Sequence, residues 1–128
     1  MDLTEVARAV ADRTGLSREE SADITRSVLD GLAGQVSAGE ARHLATDLPE
    51  PLAAEVSAQP RRRTEAHPVG IDDFIRQVGT RTGQPERDAR AGTAAVLATL
   101  RDNLSNDDYR HLMGQLPAGY SGLAAALG

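Results

Sequence analysis

The chain has 128 residues and a net charge of −5, with 40% apolar side chains, 26% charged and 2% aromatic. That length suits one compact domain or two small intertwined ones, and the acidic balance argues against a default attraction to nucleic acid or anionic lipid. With no cysteine there is neither a disulfide framework nor a thiolate metal site, and Phe74, Tyr109 and Tyr120 are too few aromatics for base stacking or an aromatic-lined pocket.

Leu3, Val6, Ala7, Val10 and Ala11 recur at the spacing of a helix buried on one side. Arg13-Thr14-Gly15 closes that helix, Gly15 supplying the left-handed residue of a C-terminal cap. Ser17 and Glu20 form a capping box for a second helix, whose apolar stripe is Ile24, Val28, Leu29, Leu32 and Val36. Gly31 and Gly34 each weaken its end by roughly 1 kcal/mol relative to Ala, unless they face a neighbouring helix. Ser37 and Glu40 start a third helix with Ala41, Leu44, Ala45 and Leu48 inward, which Pro49 stops. Pro51 then opens a short fourth helix bearing Leu52, Ala53 and Val56.

Residues 57–70 contain Pro60, Pro68 and Gly70 and read as an exposed crossover. The pattern then starts again, 68 positions on. Ile71, Phe74, Ile75 and Val78 answer the first helix, and Arg81-Thr82-Gly83 answers its ending. Pro85 and Glu86 begin the next helix, on which Val96, Leu97, Leu100 and Leu104 match the earlier stripe. Ser105 and Asp108 make a weaker capping pair, Tyr109, Leu112, Met113 and Leu116 point inward, and Pro117 stops the helix. Tyr120, Leu123, Ala124 and Leu127 form a frayed last helix. Without a gap, about 15 of 54 aligned positions are identical, most visibly in Ser37–Pro49 against Ser105–Pro117. The expectation is an all-α helical bundle made of two pseudo-symmetric four-helix repeats, residues 2–56 and 71–128, folded as a single domain over 1–128.

Several residue patterns carry a resemblance. An amphipathic helix ending in Arg13-Thr14-Gly15, a capped Ser17–Glu20 helix with Val28-Leu29-x-x-Leu32, and the Ser37–Pro49 segment, each with its second copy, resemble the domain-of-unknown-function family numbered 2267. The resemblance covers essentially the whole chain. It implies an all-helical architecture and a bacterial source, with no catalytic residues assigned. These motifs are caps, core stripes and helix stops, so they speak to build and not to activity.

Three sets of residues are candidates for contact or chemistry. Arg61-Arg62-Arg63 is the one basic cluster, read as a solvated linker against the acidic first repeat, or as a contact with an acidic partner or with a phosphate backbone, the latter weak, salt-sensitive and joined by Arg87 and Arg90. His43 and His111 occupy matched positions, but Asp47, one turn after His43, is answered by Gln115, which disfavours a paired metal site. They read instead as the polar flank of their helices or as caps on a neighbouring helix. Arg42 and Arg110 are matched too, and are expected to pair with acids across the repeat interface. Arg8 and Arg76 also match on the polar face of each first helix, and read either as a repeated binding face or, for Arg8, as an i to i+4 pair with Asp12 that Thr80 does not repeat.

No nucleophile–base set, phosphate-cradling loop or cofactor motif is recognisable, so the expected function is non-catalytic: a protein–protein interaction or regulatory module, with no cofactor and no metal. The alternatives are weak nucleic-acid binding through Arg61–Arg63 and small-molecule binding between the repeats. The Ala/Gly-rich tail Gly119–Gly128 is a candidate docking or homodimer seam. All 14 basic residues are Arg, which with the Ala and Gly load suggests a high-GC genome. With no leader pattern or membrane-spanning run at hand, a cytoplasmic protein is expected.

Overall fold

Six helices and no strand make up the described residues, 3–35 and 68–126, of the computed structural model. They are α1 (Leu3–Thr14), α2 (Arg18–Ala33), α3 (Ile71–Thr82), α4 (Glu86–Asn103), α5 (Asn106–Gln115) and α6 (Tyr120–Ala126). The third and fourth helices expected in the first repeat, over 37–56, lie outside the described residues, as does most of the crossover.

Helix ends are set locally. Ser17 accepts from the Glu20 N–H at 3.1 Å while the Glu20 carboxylate takes the Ser17 N–H at 3.0 Å, so the reciprocal capping box forms as its spacing predicts. Ser105 accepts from the Asp108 N–H at 3.1 Å. Gly15 and Gly83 close α1 and α3 at φ of 78° and 72°, a left-handed conformation that a side chain would strain. Ahead of Pro117, Leu116 is extended at φ −104° and ψ 151°, and α5 stops there.

Packing makes two hairpins, α1–α2 and α3–α4, that interlock: α1 also packs on α4, and α2 on both α3 and α4. α4 is the hub and touches all five other described helices. Its residues Gly92–Leu100 are buried without a break. A helix is buried all round only when every face meets protein, and here Gly92, Thr93, Ala94, Ala95 and Ala98 are small enough to let neighbours approach. Among the described helices, α5 packs against α4.

Two close approaches depend on glycine. A Cβ on Gly92 would sit 2.6 Å from Ile24 Cγ2, and one on Gly31 would sit 2.7 Å from the Phe74 ring. The first is where α2 crosses α4, and the second is where α2 meets α3. Gly31 therefore serves close packing, the alternative to a simple weakening of the helix end. Around these crossings lie Val6, Val10, Ile24, Val28, Ile75, Leu97 and Leu100, all fully buried.

Candidate functional site

The arginines that tie the hairpins together are not the ones expected. Arg13, in the last turn of α1, reaches Asp102 on α4 at 2.6 Å, and Arg81, in the last turn of α3, reaches Asp30 on α2 at 3.1 Å. These two arginines belong to the matched Arg-Thr-Gly endings. Arg110 instead pairs locally with Asp107 at 3.2 Å, both largely exposed. The expected cross-repeat pairing of Arg110 is therefore corrected: the acid it meets is on the first turn of its own helix. Its partner in sequence, Arg42, lies outside the described residues, as do His43 and Arg61, Arg62 and Arg63.

His111 is exposed, and its Nδ1 lies 2.8 Å from the Asp107 carbonyl one turn back in the same helix. That contact lies within its own helix, as the polar-flank reading expects. Among the described residues no group of three or more His, Asp or Glu is placed to hold a metal ion. Arg87 is 3.7 Å from Asp88, and Arg90 crosses from α4 to Asp72 on α3 at 3.2 Å.

One buried polar network centres on Tyr120. Gln35 Nε2 donates to the Tyr120 hydroxyl at 2.9 Å, that hydroxyl donates to the Val69 carbonyl at 2.6 Å, and the Val69 N–H donates to Gln35 Oε1 at 2.9 Å. The ring is closed, so each buried group is satisfied, which is the condition for such a network to stabilise. It joins the end of α2, the approach to α3 and the start of α6. Phe74 meets the Tyr120 ring edge-on at a centroid distance of 5.4 Å. Burial raises the Tyr120 phenol above its usual value of 10, with the Gln35 hydrogen bond pulling the other way. Gln35 was invisible as a site residue in the sequence, because its partners are 34 and 85 positions away.

Two clefts lie on the outside of the hairpins. One, of about 540 Å³, is an open shelf along α3 lined by Pro68, Val69, Asp73, Arg76, Gln77 and Arg81, among others. Arg76 there is held by Asp73 at 2.9 Å. The other, of about 210 Å³, is a groove between α1 and α2 with Leu3, Ala7 and Ala22 as an apolar floor and Thr4, Arg8, Arg18 and Arg26 around it. Arg26 pairs with Asp23 at 3.2 Å. Arg8 and Arg18 have no ion-pair partner among the described residues, so the expected Arg8–Asp12 pair is not made.

An all-α protein of two interlocked helical hairpins, with ion pairs between the hairpins and one buried polar ring, is the class these observations define. The chain belongs to the family described as Uncharacterized conserved protein (DUF2267), whose profile matches residues 4–123. That span runs from the first turn of α1 to the middle of α6. No curated protein matches the sequence. Among the described residues no helix is long and apolar enough to cross a membrane.

Proposed function

We propose that this chain is a non-catalytic interaction module of the bacterial cytoplasm, built from two pseudo-symmetric repeats of four helices, which presents an outer helical face to another protein. The observation that carries the reading is the α1–α2 groove, where an apolar floor lies beside two arginines that have no ion-pair partner among the described residues. Arginine is among the residue types enriched in interface hot spots.

Pseudo-symmetry is supported by matched positions that behave alike. Thr14 and Thr82 both donate to the carbonyl one turn back, as do the buried Thr25 and Thr93. Arg13 and Arg81 each cross to an Asp near the end of the other hairpin's long helix. Ile24 and Gly92 are the same repeat position, and they meet each other. Equivalent residues touch only near a two-fold axis. There, two large side chains would collide, so one copy carries Ile and the other Gly.

The test is affinity capture from lysate of the source organism, with and without nuclease, read by mass spectrometry. One protein recovered in stoichiometric amount regardless of nuclease is the expected result. Recovery that collapses with nuclease would move the function to nucleic acid, and an empty capture would refute the module.

A further inference from the structure

The two hairpins treat the same surface in opposite ways. In the second, Asp72 on α3 and Arg90 on α4 bridge the helices at 3.2 Å. Sixty-eight positions earlier these are Thr4 and Ala22, which cannot make that bridge, and the groove between α1 and α2 stands open at their place. Arg18 and Arg26 flank Ala22 one turn either side on α2, and Arg8 follows Thr4 one turn along α1. At these three arginine positions the second hairpin has Glu86, Ala94 and Arg76. The opened groove has gained positive charge within the more acidic repeat, where Met1–Val56 holds eleven acids against five arginines. Glu5, Glu19 and Asp23 stand on the same two helices but do not line it, and Asp23 engages only Arg26.

We infer that the α1–α2 groove receives an acidic amphipathic helix from a partner protein, whose apolar side chains enter between Ala7 and Ala22 and whose carboxylates pair with Arg8 and Arg18. The partner's acid takes the place that Asp72 fills within the second hairpin. Three features favour this occupant. The cavity of about 210 Å³ is below the range of roughly 300–1,000 Å³ for small-molecule sites, and suits inserted side chains. The arginine-to-arginine run of two turns on α2 is about 12 Å long, which matches a short helix laid in a groove. The floor is Leu and Ala with no aromatic platform, so single-stranded nucleic acid finds nothing to stack on. This inference rests on the interaction-module reading.

The probe is a capped peptide of about 15 residues with Leu at i, i+4 and i+7 and Glu on the flanks, titrated into the ¹⁵N-labelled full chain. An isomer with Lys for every Glu is the control. Amide shifts should be confined to residues 3–8 and 18–26 and should weaken as salt rises. Arg18→Glu, an exposed change, should lower affinity about tenfold or more. Thr4→Asp with Ala22→Arg, which copies the second hairpin's ion pair, should abolish the shifts while circular dichroism stays unchanged. The inference is overturned by shifts elsewhere, by equal binding of the Lys isomer, or by no shift at about 1 mM peptide. It is equally overturned if single-stranded DNA gives the same shifts at lower concentration, or if dilution of the protein alone moves these amides, which would make the occupant a second copy. Lysate capture separates the two readings: a stoichiometric partner held equally by the parent and the Thr4→Asp/Ala22→Arg protein keeps the module and removes the groove.

Discussion

Replacing Gly92 by Ala should destabilise this protein, against the usual rule for glycine inside a helix. Gly→Ala in a helix interior ordinarily gains about 1 kcal/mol. At Gly92 the new methyl would lie 2.6 Å from Ile24 Cγ2 and 2.9 Å from Ile24 Cδ1, well inside van der Waals contact. Ile24 is fully buried and branched at Cβ, so it has few rotamers and no open space to retreat into. Overpacking of this kind costs typically about 1–3 kcal/mol, which outweighs the propensity gain and leaves a net loss of about 1 kcal/mol. Ile24→Ala alone should cost about 2–5 kcal/mol through its cavity. In the double variant the methyl added at Gly92 sits in the space Ile24 vacated, so the two changes should be non-additive by about 1–3 kcal/mol in the favourable direction. Gly114→Ala is the control, because nothing lies within 4 Å of a Cβ there; it should stabilise. Urea unfolding followed by circular dichroism measures all four proteins. If Gly92→Ala stabilises as much as Gly114→Ala, the α2–α4 crossing is not the tight contact described.

Other substitutions probe independent features. The hydroxyls of Ser21 and Ser27 are buried with no hydrogen-bond partner among the described residues, and the matched positions carry the buried Ala89 and Ala95; Ser21→Ala should stabilise by about 1 kcal/mol in urea melts, and a loss would mean the hydroxyl is bonded. Tyr120→Phe removes the centre of the Gln35–Val69 ring and should cost about 1–3 kcal/mol by thermal melt, whereas a neutral result would show the ring contributes nothing. Both phenols are held above their usual value of 10, Tyr120 by burial against the Gln35 hydrogen bond, Tyr109 by burial and Asp102 against Arg101. The folded state therefore favours the protonated phenols. Their contribution is complete below pH 10 and is lost as pH rises through the folded values. With two Tyr and no Trp in the chain, absorbance at about 295 nm should report the raised ionisation of the phenols directly, and phenols ionising at their ordinary value in the native protein would contradict it. Asp102→Ala removes the partly exposed pairs with Arg13 and Arg101, so its cost should stay below about 1 kcal/mol and shrink with salt.

How much of this molecule its sequence determines by itself follows from the range of each interaction. Caps and stops are decided by residues within four positions of one another. Ser17 with Glu20, Gly15, Gly83 and Pro117 accordingly do in the fold what their spacing implies. The apolar stripes are also local, and they place Val6, Val28, Ile75 and Leu100 in the core as their periodicity implies. The duplication is legible for the same reason, as an alignment of one stretch of chain with another. What joins the two copies is not local. The helix crossings decide that Arg13 and Arg81, and not Arg110, reach across to acids 89 and 51 positions away. They also bury the stretch Gly92–Leu100 of α4 on every face, where its apolar stripe alone suggests one, and bring Gln35 to Tyr120. The groove is a tertiary product too: Thr4 and Ala22 are ordinary in sequence, and come to line one cleft only because α1 and α2 pack side by side without the ion pair that Asp72 and Arg90 make in the second hairpin.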